Sequence, residues 1–202
     1  MFRKKEIEGK TAEEWFELGL EEQDPEKRLE YFSKGLKLDP KNAPAWNNKG
    51  VALGVLGRYK EALRCFNKAL KLDPKYAWAW YNKGTTLTDL ERYREALKCF
   101  DKALELDPKY VAAWNNKGTA LGMLGRYEEA LRCFDKALEI EPNKYPYPWV
   151  GKGSILRIQG RYEEALRCYD KALEIDPEFE KARTNKKEIE KILKIRREIQ
   201  KR

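Results

Sequence analysis

The sequence predicts an all-α solenoid of antiparallel helix pairs, and three observations carry that prediction. A 34-residue stretch, Ala43–Tyr76, is followed at once by a second copy at Ala77–Tyr110 and a third at Val111–Lys144. The first and third copies share 23 of 34 residues, and self-similarity at that period marks stacked supersecondary units. Within a copy, two apolar stripes at helical spacing are separated by Gly57-Arg58 and closed by Asp73-Pro74.

Ala43–Tyr76 shows why each unit is a helix pair. Trp46, Gly50 and Leu53 fall at i, i+4 and i+7, one stripe of a first helix. Tyr59, Ala62, Phe66 and Ala69 make the stripe of a second. Proline then ends it by removing a donor and pushing the preceding residue out of helical geometry. The small residues Gly50, Ala62 and Ala69 let helix axes approach to roughly 8–10 Å, and Trp46, Tyr59 and Phe66 fill the space between. One pair cannot cover both of its faces, so copies must stack.

The same positions recur as Trp80, Gly84, Tyr93, Ala96, Phe100, Ala103 and Pro108, and as Trp114, Gly118, Tyr127, Ala130, Phe134, Ala137 and Pro142. A fourth set, in a unit at 146–179, is Trp149, Gly153, Tyr162, Ala165, Tyr169, Ala172 and Pro177. This pattern resembles the tetratricopeptide repeat. The resemblance implies a right-handed superhelix whose first helices line a concave, ligand-binding groove. One departure is consistent: lysine (Lys49, Lys83, Lys117, Lys152) stands where that family usually places leucine before the glycine. A lysine there can lay its stem on apolar surface and keep its ammonium in water.

In chain order, residues 1–10 form a basic segment. A shortened unit follows at about 12–42, opened by Thr11 and Glu14 at capping-box spacing and turned by Asp24-Pro25, and it is expected to act as a cap. Three near-uniform units occupy 43–76, 77–110 and 111–144. The join Glu141–Pro148 carries three prolines and one extra residue before the fourth regular unit. Residues 180–202 predict a basic helix with Ala182, Ile189, Ile192 and Ile199 on one face, covering the last unit. It holds ten Lys or Arg against four Glu, so +6 of the chain's +8 lies there. An apolar stripe that outlasts the unit it covers would leave a surface for self-association.

Composition narrows the function. Histidine is missing, no phosphate-cradling glycine loop is present, and the paired carboxylates Glu128-Glu129 and Glu163-Glu164 read as solvent-side charges. The expectation is a chain that is no enzyme and takes no cofactor or metal. Cys65, Cys99, Cys133 and Cys168 repeat in register without metal-ligand spacing and read as small, partly buried thiols. No apolar run approaches the roughly 18 residues of a membrane helix and the start lacks a signal-peptide stretch, so the expectation is a cytoplasmic protein with no membrane partner. Nucleic acid is an unfavoured partner; it would act through the basic 180–202 segment.

The candidate binding residues lie on the first helices, away from the Trp46 stripe. Asn47 and Asn48 are followed in register by Tyr81 and Asn82, then by Asn115 and Asn116. Asn48, Asn82 and Asn116 make a ladder of amides, each offering donors and an acceptor to an extended peptide. Trp78, Val51, Val55 and Met123 add apolar character, and exposed aromatic residues often anchor partners. Val150 and Gly151 replace the asparagines in the last unit, so a peptide would engage mainly the units at 43–144. Some relatives in the resembling family clamp a C-terminal carboxylate with such an asparagine and flanking cations; here the flanking places hold Asn47, Tyr81 and Asn115, all uncharged. The function expected is an adaptor binding a peptide or protein segment in the groove. The alternative is a scaffold, homo-oligomeric through the 180–202 helix.

Overall fold

The computed structural model describes residues 6–200, which fold into eleven helices. The basic start at 1–5 and the last two residues of the 180–202 segment lie outside the described residues. The helices are α1 (Ala12–Glu21), α2 (Pro25–Leu38), α3 (Ala43–Val55), α4 (Tyr59–Leu72), α5 (Ala77–Asp89), α6 (Tyr93–Leu106), α7 (Val111–Met123), α8 (Tyr127–Ile140), α9 (Tyr147–Ile158), α10 (Tyr162–Ile175) and α11 (Glu180–Gln200). Contacts group them into two compact units, Met1–Pro108 and Lys109–Arg202, divided at a repeat boundary.

In the first unit, α1 begins as its sequence requires. The Thr11 side chain accepts from the Glu14 amide while the Glu14 carboxylate accepts from the Thr11 amide, a complete capping box. Asp24 caps α2, with Pro25 in its first turn. Phe66 packs under Gly50: a Cβ there would stand 2.6 Å from the Phe66 ring, and Gly84 meets Phe100 in the same way. Ala62, Ala69, Ala96 and Ala103 are fully buried at the close approaches. Proline's role extends beyond ending helices. The indole N–H of Trp46 donates to the Pro40 carbonyl and that of Trp80 to the Pro74 carbonyl, each at 3.0 Å. Each indole therefore satisfies a carbonyl at the end of the preceding unit, a linkage between neighbours.

The turns inside the regular pairs carry a left-handed residue, whereas the turn from α1 to α2 has none. Gly57 supplies it at φ 71°, but the equivalent place between α5 and α6 is Glu91, at φ 57°. Beside each turn an arginine forms a two-pronged bond with the glutamate three residues on. Arg58 meets Glu61 at 2.8 and 2.7 Å, and Arg92 meets Glu95 at 2.7 Å through both prongs. These pairs stand where no side chain caps α4 or α6.

In the second unit, α7 with α8 and α9 with α10 repeat this architecture. The Trp149 indole donates to the Pro142 carbonyl at 2.9 Å despite the inserted residue. Helix α11 then covers the last pair. Ala182 and Ile189 are fully buried against Val150, Leu156, Tyr169 and Ala172. Burying an isoleucine side chain contributes about 2 kcal/mol, enough to fix the helix there. Lys186 pairs with Asp170 at 2.6 Å, and the Arg196 guanidinium lies 4.7 Å from the Tyr162 ring. Ile192 is half-buried, whereas Ile195 and Ile199 are exposed, so the apolar stripe does outlast the pair it covers.

Candidate functional site

Helix spacing places the candidate residues on one face of each first helix. On α3 that face runs Asn47, Asn48, Val51 and Val55. On α5, packed beside it, the face runs Trp78, Tyr81, Asn82, Thr85 and Asp89. Trp78 is 61% exposed and Val55 69%, so two large apolar groups stand open near the ends of this surface. The Tyr81 ring tilts against Phe100 at 6.2 Å, and partial desolvation holds the Asp89 carboxyl above its usual value.

The three amides of this face form a chain. Asn82 Nδ2 donates to Asn47 Oδ1 at 3.0 Å, and Asn47 Nδ2 donates to Asn48 Oδ1 at 3.3 Å. Asn47, expected among the contact residues, is only 3% exposed. Its amide is consumed in orienting its two neighbours, because it lies at the join of α3 and α5. Asn48 and Asn82 remain half-buried. The chain leaves the Asn48 Nδ2 donor and the Asn82 Oδ1 acceptor pointing to no other described group. Such a pair matches the carbonyl and amide that an extended peptide presents.

In the second unit, α7 carries Asn115 and Asn116 in the same register, with Thr119 and the exposed Met123. Asn115 Nδ2 donates to Asn116 Oδ1 at 3.1 Å, as in α3, but Asn115 Oδ1 is buried with no partner. The cause lies in α9. Where Asn82 follows Asn47, Gly151 follows Asn115, and a Cβ at Gly151 would stand 2.4 Å from the Phe134 ring. No asparagine fits there unless that ring moves. Val150, the other replacement, is buried. Ile158, exposed at the end of α9, matches Val55 and Met123 in register; it was legible from the repeat alignment but hidden by its apolar neighbours.

The lysines that replace leucine have a use beyond covering apolar surface. Lys49, Lys83 and Lys117 hold their ammonium groups 5.3–5.5 Å from the centres of the Trp46, Trp80 and Trp114 rings, within cation–π range. Lys152 instead pairs with Asp135 at 2.6 Å. The recurrent glutamates are acceptors held ionised: Arg58, Arg92, Arg126 and Arg161 keep Glu61, Glu95, Glu129 and Glu164 below the usual carboxylate range. Among the described residues no helix is long and apolar enough to cross a membrane.

Comparison with known proteins gives a consistent picture. The tetratricopeptide repeat pattern matches at residues 43–76, 77–110, 111–144 and 146–179. An uncharacterized protein of Methanocaldococcus jannaschii, MJ0572, is 48% identical over 59 residues, which are 28% of this chain and 69% of that protein. Among solved structures, YrrB is 30% identical with a TM-score of 0.70, over 87% of this chain and 88% of its own; it is described as a TPR protein with an unusual peptide-binding site. PilF of Pseudomonas aeruginosa superposes with a TM-score of 0.79 at 23% identity, over 92% and 85% of the two chains. At that identity the likeness concerns the fold alone, an all-α repeat solenoid.

Proposed function

The chain belongs to the tetratricopeptide repeat family, and from that premise we propose that it is a non-catalytic module binding an extended peptide segment on its first-helix faces. The contact surface in the first unit is the α3–α5 face. Asn48 donates to a peptide carbonyl, Asn82 accepts from a peptide amide, and the exposed Trp78 packs against a peptide side chain. Asn47 holds both amides in place. The corresponding residues of the second unit, Asn115 and Asn116, belong to the same class of surface. The observation that carries this reading is the Asn48–Asn47–Asn82 chain, which is joined internally through Asn47 and leaves the Asn48 amide nitrogen and the Asn82 carbonyl oxygen over. The peptide-binding site described for YrrB supports it by family likeness.

Recognition of this kind reads the peptide's main chain more than its side chains, so it favours an unfolded or extended segment. Peptides selected on the protein from a random library, labelled and titrated by fluorescence anisotropy, provide the test. Replacing Asn48 and Asn82 together by alanine removes two hydrogen bonds of about 0.5–1.5 kcal/mol each, which corresponds to a loss of roughly tenfold in affinity. The helical circular-dichroism signal should be unchanged. Equal affinity for the double variant would remove the amides from the site.

A further inference from the structure

The α3–α5 face carries a single charge, and it is negative. Helices α3 and α5 together hold three charged residues, Lys49, Lys83 and Asp89. Both lysines turn toward the second helices, where each lies over an indole and acts on the carboxylate of Glu61 or Glu95. Asp89 instead stands seven residues beyond Asn82, about two turns along the same face. The equivalent place is apolar in the other regular units, as Val55, Met123 and Ile158. A copied surface therefore departs from its own repeat at this one position.

Nothing in the free chain compensates that charge. Among the described residues Asp89 forms no ion pair, and desolvation alone raises its carboxyl, with no neighbouring cation to lower it. An acid in the last turn also opposes the helix dipole, whose negative end lies there, and α5 has no basic residue in that turn. The carboxylate and the helix end thus both favour a cation from outside. The side chain is exposed, so a ligand can reach it. The Asn47–Asn82 bond aligns α3 with α5 and brings Val55, 69% exposed, to the same end of the face. An aliphatic surface near a carboxylate suits a lysine or arginine, whose stem packs while its head pairs.

We propose that the segment bound by this face carries a lysine or arginine, which sits against Asp89 at the C-terminal end of α5. The proposal rests on the peptide reading above and adds to it the charge of the ligand. Seven residues of helix span roughly 10 Å, and an extended peptide covers that distance in about three residues. The cation therefore lies about three residues from the one whose amide Asn82 holds. Such a pair stands at the rim of the surface, so its strength falls with added salt.

Random linear peptides displayed on phage and selected on the wild type, on D89V and on D89K provide the test. D89V copies the residue that α3 carries at this place, so it should keep the fold, which circular dichroism checks. Peptides from the wild type should be enriched in lysine or arginine at one fixed position. Those from D89K should be enriched in glutamate or aspartate there, and those from D89V in neither. A labelled wild-type peptide should bind D89V roughly threefold to fivefold more weakly at low salt, a difference that vanishes at about 1 M salt. Exchanging the cation of that peptide for glutamate should weaken binding to the wild type and restore it to D89K. Equal affinity for wild type and D89V, with binding still lost when Asn48 and Asn82 are replaced, would overturn this proposal and leave the peptide reading standing. Failure of all three proteins to select any peptide would overturn both.

Discussion

Asn47 and Asn115 occupy the same place in their repeats and are followed by the same residue, yet they end in different states. Asn47 Oδ1 accepts from Asn82, while Asn115 Oδ1 has no partner because Gly151 stands where that donor would be. An orphaned buried acceptor costs about 1–3 kcal/mol, so the position is a weak point that a donor can relieve. The cysteines show the same dependence on surroundings. All four are free and buried; burial raises the thiols of Cys65 and Cys99 and pushes Cys168 up to about 11. Thiolate is the reactive form, so at pH 8 only about one part in a thousand of Cys168 is reactive. Iodoacetamide should leave the native protein essentially unmodified at that pH and label four sites in denaturant, with native labelling rising as pH approaches 11. Rapid labelling of the native chain would contradict the burial. The recurrence of asparagines in register on the first helices was legible in the sequence. Which amide bridges and which faces outward was not, because that depends on how α3 and α5 pack and no spacing rule encodes it.

At the scale of elements, each boundary in the repeat has a residue-level cause. The capping box of α1, the Pro25 start of α2 and the closing prolines could all be read in advance, since caps and breakers act within a few residues. The indole-to-proline bonds could not. They join residues of neighbouring units that the repeat pattern aligns without saying that they touch. The turn between α5 and α6 is the exception to its own repeat, with Glu91 where the other regular units have Gly57, Gly125 and Gly160. A left-handed backbone costs a residue with a Cβ roughly 1–2 kcal/mol, partly offset by the greater freedom of glycine in the unfolded chain. Glu91→Gly should therefore stabilise by a few tenths to about 1 kcal/mol, read as a higher midpoint in urea at unchanged slope. Gly125→Ala should lower the midpoint. A destabilised Glu91→Gly protein would mean that the glutamate side chain compensates for its strain.

At the scale of the whole molecule, repetition explains both what is uniform and what is not. Within each compact unit a helix pair contacts mainly its neighbours, so stability and surface accumulate pair by pair. A feature copied in every unit, such as the Arg–Glu pair beside the turn, needs only a local cause. Departures mark where something else is required: the capping box at α1, the proline-rich join before α9, and the 180–202 segment with +6 of the net charge of +8. The fold was almost wholly legible because a 34-residue period admits few architectures. The candidate surface was legible only as a register of positions. If the Asn48 and Asn82 amides read the main chain of a bound peptide, methylation of that peptide's backbone nitrogens will weaken binding at a single position. With a library-selected peptide methylated at one nitrogen at a time, one position should lose roughly tenfold or more in affinity, as expected for a removed donor with its acceptor left unpaired. The other positions should change little. Uniform tolerance of methylation, with affinity set by side chains alone, would contradict the claim.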